Sequence, residues 1–241
     1  MALFDDPNWP RANTLLIRTL LKSPPPPQAG VINGNTDATC NEEVKNCDIT
    51  LVGVPWYRAS LTRGRCDLAP TALRNALERF SSYDVEHQQD LRKLHIHDVG
   101  DLAVSEQTPA SGFADVTRQL QSLSATSLIT LALGGDNSIL RPLMHASSAQ
   151  LIDTGLITLD AHFDLRTTEQ GLHNGNPVSA LLQDGLPGRN IVQIGIQSFA
   201  NAAHYARAAA DAGIHVVTIE RVRREGIGFI IDEALLRLAG L

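Results

Sequence analysis

The chain has 241 residues, 43% of them hydrophobic and 19% charged, with a net charge of −6. That composition suits a folded protein with a full core, and the negative balance argues against a nucleic-acid or membrane-surface partner. No run reaches the roughly 18–20 apolar residues of a membrane span, and the opening MALFDDPNWPRAN, with early acids and no apolar centre, does not read as a secretory signal.

In chain order, TLLIRTLLK (14–22) reads as a short amphipathic helix. Residues 23–48 hold four consecutive prolines at 24–27, then Gly, Asn, Thr and Asp in quantity, text that cannot fill a core. Residues 1–48 are therefore expected to be an N-terminal extension and linker, and 49–241 an α/β domain. Strand-like runs follow: ITLVGV (49–54), KLHIHDV (93–99), SLITLALG (127–134), LITLD (156–160), NIVQIGI (190–196) and IHVVTI (214–219). Between them lie helix-like segments at 69–83, 113–123, 138–147, 176–185, 199–213 and 228–240. RVRRE (221–225), the densest basic run, reads as a solvated helix edge or loop. Several strands are apolar throughout rather than alternating, the pattern of a parallel sheet covered on both faces. Strand–helix alternation of this kind predicts a doubly wound α/β fold. The last helix-like segment stands where such a pattern would feed a further strand, so the sheet is expected to be incomplete at its C-terminal side.

The three cysteines, Cys40, Cys47 and Cys66, have no zinc-site spacing, and their sparse, odd number suits a reducing cytoplasm. Trp9 and Trp56 read as packing anchors, and His95 and His97 as edge or core histidines at a strand end.

In doubly wound sheets, ligands gather beyond the carboxyl ends of the strands. In LALGGDNS (131–138) the glycines permit a tight turn and Asp136, Asn137 or Ser138 can cap the next helix; a cap alone would explain it. In DAHFD (160–164), an extended chain would aim Asp160, His162 and Asp164 to one side. Two carboxylates and an imidazole make a mixed O/N ligand set leaning toward a hard divalent ion such as Mn²⁺. The bland alternative, a solvated strand end paired with Arg166, is weaker because like charges so arranged repel without a cation. GLHNGNPVSALL (171–182) can form the rim of the same pocket, with His173, Asn174 and Asn176 as substrate or proton-handling groups. It reads equally as a surface loop opening a helix at Pro177.

Taken in order, LALGGDNS, LDAHFDLR, HNGNPVSALL and VQIGIQS resemble the ureohydrolase superfamily: arginase, agmatinase, formimidoylglutamase and relatives. GVPWYRASLTRGRCDLAPTALRNAL, with Pro70 and Arg74, and HIHDVGD resemble its earlier elements; the resemblance covers roughly 49–220. It implies a three-layer α/β/α fold, a dinuclear Mn²⁺ centre with a bridging hydroxide, hydrolysis of C–N bonds in small cationic amidines or guanidino compounds, and a homo-oligomer. Carried over by position, Asp160, His162 and Asp164 are metal ligands, and Asn137 falls where most members have a ligating histidine. Arg166 falls where some members contact substrate. Asn174 occupies the place of a loop histidine that shuttles protons, which His173 could replace by a one-residue shift. A further strand rich in aspartate, which donates two more ligands in the family, has no match in 220–241. The resemblance therefore implies impaired metal retention and low hydrolysis, or a non-catalytic member that binds a ligand or partner in the same pocket.

Overall fold

A computed structural model describes residues 11–18, 47–125 and 127–241. Trp9, Cys40 and the proline-rich stretch up to residue 46 lie outside the described residues. In chain order come β1 (Leu16–Arg18), β2 (Cys47–Val54), α1 (Ala69–Ala76), β3 (Tyr83–Asp84), β4 (Gln89–Asp90), β5 (Ile96–Asp101), α2 (Pro109–Ser124), β6 (Ser127–Gly134) and α3 (Leu140–Ser147). Then follow β7 (Leu156–Leu159), α4 (Pro177–Gln183), β8 (Ile191–Ile196), α5 (Ala203–Ala212), β9 (His215–Thr218), α6 (Ile219–Glu225) and α7 (Ile227–Leu238).

The strands form two parallel sheets, one ordered β1-β5-β2-β6 and one β7-β8-β9, with β3 and β4 as a small antiparallel hairpin. The predicted α/β class with a mostly parallel sheet is what the molecule has. β8 shows why its run is apolar throughout: Ile191 and Ile196 enter a cluster with Leu156, Phe163 and Leu181, while Val192 and Ile194 pack with Val217, Ile230 and Ala234 of β9 and α7. In the other sheet Val52 and Val54 of β2 pack with Trp56, Val99, Val116 and Leu120.

Three local readings need correction. The helix expected over 14–22 is, in its described part, a 3₁₀ turn at Ala12–Leu15 running into β1, which pairs in parallel with β5, Leu16 opposite Ile96. An isolated helix of that length is marginal, and ladder pairing at the sheet edge satisfies the same backbone. The helix expected over 69–83 stops as an α-helix at Ala76, and residue 83 already lies in β3, whereas the helix expected over 228–240 is α7, set off from α6 by Gly226, whose φ of 86° lies in the region that glycine tolerates. The hairpin of β3 and β4 is an addition, because its two-residue strands carry no hydrophobic period.

Cap chemistry accounts for several boundaries. Thr108 caps α2 in a reciprocal box with Ser111 ahead of Pro109, which starts the helix earlier than its apolar residues suggest. Pro142 is the third residue of α3, where its missing N–H breaks no helical bond.

Candidate active site at the strand ends

The carboxyl end of β6 is pressed against the segment after β2. Gly135 donates its N–H to the Val54 carbonyl at 3.0 Å and Asp136 to that of Trp56 at 2.7 Å. A Cβ on Gly135 would lie 1.8 Å from the Trp56 oxygen, so only glycine fits. The buried Asp136 accepts the Ser138 N–H at 2.9 Å. GGDNS is thus a strand–turn–helix cap, and it also delivers Asn137 to a cavity wall.

β7 ends at Leu159, so the strand alternation expected for 160–164 does not hold. The chain turns instead. Asp160 accepts the His162 N–H at 2.8 Å, and Asp164 sits at a φ of 53°. Asn201, on the loop after β8, holds this turn by accepting from Phe163 N–H at 3.1 Å and donating to the Ala161 carbonyl at 2.8 Å. Phe163 goes into the core.

The turn still brings the polar groups to one place. A cavity of ≈ 540 Å³ is lined by Asn137, Asp160, His162, Asp164, Arg166 and Asn174, among others. Asp164 is buried and accepts a hydrogen bond from the Asn137 amide. Burial first, and then the charge of Asp160, push its carboxyl up to about 7, against the smaller downward pull of Asn137 and Arg166. The His162 side chain is 60% exposed, with Nδ1 3.3 Å from the Asp160 carboxylate. Arg166 runs beside Gly175, whose added Cβ would stand 3.0 Å from its Cδ, and its guanidinium has no hydrogen-bonding or ion-pairing partner among the described residues.

The loop of 171–176 divides. Asn174 reaches the cavity and ties two loops together: its Oδ1 accepts the Leu61 N–H at 2.9 Å. His173 instead lines a void of ≈ 10 Å³ beside Phe113 and Arg141, and its Nδ1 accepts the Gly175 N–H at 3.1 Å. Burial, then Arg166, lower its pKa. Asn176 is 1% exposed and spends its amide on the loop: it accepts from His173 N–H and donates to the Thr167 and Gly171 carbonyls. The structure therefore puts one of the three expected loop residues, Asn174, on the wall of the large cavity. Asn201 and Tyr205 line it too and escape a reading by motif; their signal is their place just beyond the carboxyl end of a central strand.

The donor chemistry fits a hard divalent ion in kind, since Asp164 and Asp160 repel each other at close quarters. It falls short in closure: among the described residues no three His, Cys, Asp or Glu side chains come close enough to hold a metal between them. Asn137, with its amide nitrogen toward Asp164, adds no anionic donor.

A parallel α/β sheet with its polar cavity beyond the strand ends, and the GGDN and DAHFD turns at its rim, is an arginase-type architecture. The chain matches the Arginase family over residues 47–240 and belongs to it. It is 35% identical over 192 residues to a formimidoylglutamase of Halalkalibacterium halodurans, covering 78% of this chain and 60% of that protein. The chain thus spans about three fifths of that relative's length. The fold is similar to the crystal structure of formimidoylglutamase from Bacillus subtilis, with a TM-score of 0.81 at 24% identity over 98% of this chain and 68% of that one. It is also similar to the crystal structure of a Trypanosoma cruzi formiminoglutamase with Mn²⁺, with a TM-score of 0.73 at 23% identity over 84% of this chain and 69% of that one. No helix among the described residues is long and apolar enough to cross a membrane.

Proposed function

We propose that this chain carries the substrate-binding face of a hydrolase that cleaves C–N bonds in linear amidines, with a formimidoylglutamate-type compound as substrate and Mn²⁺ as the metal. The carrying observation is the bipolar cavity: an Arg166 guanidinium without a partner among the described residues shares it with Asp160 and Asp164. A substrate with a cationic amidine at one end and carboxylate at the other matches both. Arginine's planar fork binds carboxylate in two parallel hydrogen bonds, which a substrate without a carboxylate cannot use. The similarity to a formimidoylglutamase agrees with this choice.

Asp160 and Asp164 would hold the metal, with His162 and Asn137 at its margin. An amidine carbon is a poor electrophile, and a bound divalent ion supplies hydroxide for attack on it near neutral pH. The chain's own residues do the rest: Asp160 and Asp164 attract the cationic end, Arg166 orients the other, and the Asn174–Leu61 bond fixes part of the cavity wall. A second reading, a non-catalytic binding member, is favoured by the lack of a closed ligand cluster among the described residues and by the Asn137–Asp164 bond.

The test is turnover and binding of N-formimidoyl-L-glutamate, agmatine and L-arginine with Mn²⁺ present, in the wild type and in Arg166→Ala. The reading expects formimidoylglutamate to be preferred and Arg166→Ala to weaken it by about 10- to 100-fold, roughly 1.4 kcal/mol per tenfold. Equal or better use of agmatine with no effect of Arg166→Ala would contradict it. Binding without turnover would favour the second reading.

A further inference from the structure

The DAHFD turn lies between two walls of the cavity. On one side Arg166 donates its N–H to the Gly175 carbonyl at 3.2 Å, and Leu61, Asn174 and Gly175 complete that wall. On the other stand Ala200, Asn201 and Ala202 of the loop after β8, and Tyr205 of α5. Asn201 fastens this second wall to the turn and commits its whole amide in doing so. It accepts from Phe163 N–H and donates to the Ala161 and Gln197 carbonyls. The two alanines bring no polar side chain. Among the described residues, Tyr205 is therefore the side chain of this wall with a donor uncommitted. Its ring is anchored, packing against the buried cluster that includes Phe163, Ile196 and Ala209. Its hydroxyl has no partner among the described residues and is not sealed from solvent. A tyrosine so held gives up little conformational freedom when it meets a ligand.

The loop that presents this wall is strained. Ala200 N–H meets the Gln197 carbonyl at 3.4 Å, which closes a turn with Phe199 in its third position at a φ of 64°. That position ordinarily takes glycine, and the fully exposed phenyl makes no packing contact that would offset the strain. Strain of this kind collects where a backbone is held to present a ligand-binding surface.

We propose that Tyr205 is a specificity-determining residue, donating its phenolic hydrogen to a second carboxylate of the ligand, the one next to the amidine nitrogen. This rests on the amidine reading above. N-Formimidoyl-L-glutamate carries two carboxylates, and Arg166 takes the distal one in its planar fork. The second wall meets the other with an O–H. None of the four residues of that wall is charged, so the wall offers no counter-charge to an ammonium group. A hydrogen bond to a charged acceptor is stronger than one to a neutral acceptor, and a site built around such a bond discriminates against an analogue that cannot form it.

The experiment compares N-formimidoyl-L-glutamate with its 1-carboxamide, in which a neutral amide replaces the carboxylate next to the amidine nitrogen. With Mn²⁺ present, kcat, KM and calorimetric Kd are measured for the wild type, Tyr205→Phe and Arg166→Ala. Tyr205→Phe keeps the ring and its packing, so the fold is retained. The wild type is expected to bind the dicarboxylate at least about tenfold more tightly than the carboxamide. Tyr205→Phe is expected to raise KM and Kd about tenfold for the dicarboxylate alone, with kcat and the values for the carboxamide within about twofold of wild type. Arg166→Ala is expected to weaken both compounds, since both keep the distal carboxylate. If Tyr205→Phe weakens both compounds alike, the hydroxyl is a structural support; if it weakens neither, the hydroxyl is idle. Either result overturns this inference and leaves the amidine reading standing. Failure of the wild type to bind either compound overturns that reading and this inference with it.

Discussion

β2 and β6 lie side by side, eight residues each, paired from Cys47 opposite Ser127 to Val54 opposite Gly134. Both are apolar, yet residues 50–54 of β2 are all buried and no residue of β6 is. The difference is in their neighbours: among the described residues β2 has a strand on either side, β6 on one. An apolar run states what surroundings a strand requires, and only the pairing shows whether it has them. The unmet requirement falls on the two strands whose ends form the cavity, so the fold and the site fall short at the same place.

The sharpest way to break this comparison is to truncate two residues that pair across the strands. Leu51, 4% exposed, is opposite Leu131, 50% exposed. Leu51→Ala is expected to cost ~2–5 kcal/mol and Leu131→Ala about 1 kcal/mol or less, as measured by denaturant unfolding. Equal costs would mean that β6 is already covered in solution.

Next in size is the seam between the sheets, where Asp164 titrates. Its folded-state pKa of about 7 lies above the ordinary 3.8. Between those values the folded protein holds a proton that the unfolded chain has lost, so stability falls as pH rises from about 4 to about 7 and is then level. Without metal, the total fall is expected to be on the order of 4 kcal/mol. Asp164→Asn should flatten it, as read from thermal midpoints across pH in a chelating buffer.

Asn174→Ala removes the acceptor of the Leu61 N–H and should cost about 1 kcal/mol, with faster amide exchange at Leu61. The smallest effect is expected of Gly175→Ala. Its Cβ would press at 3.0 Å on Arg166 Cδ and Leu61 Cδ1, both on side chains that can move aside. It should weaken binding of a carboxylate-bearing ligand several-fold while leaving stability within ~0.5 kcal/mol.

Much of this architecture was legible in the residues. SLITLALG is β6 to the residue, and the apolar run of β8 is indeed covered on both faces. The motifs at 131–138 and 160–166 do meet at one cavity. What could not be read was set by contacts distant in sequence. The segment 16–18 joins a sheet because β5 offers an edge. The turn of 160–164 replaces strand alternation because Asn201, far along the chain, holds it. His173 and Asn176 face inward because the loop satisfies its own backbone with the Asn176 amide and the His173 ring. Residue type alone marks such groups as candidates, and their orientation is decided by the hydrogen bonds they make first.

Asp160 and Asp164 line one cavity, and the metal reading requires that it take a divalent ion. The most direct test of that reading is a Mn²⁺ titration of the 241-residue chain followed by electron paramagnetic resonance of the free ion, beside Asp160→Asn and Asp164→Asn. Saturable binding of at most one ion per chain, lost in both variants, is the expected result. Binding that persists unchanged in the variants, or none at millimolar Mn²⁺, would rule out a metal at these two carboxylates.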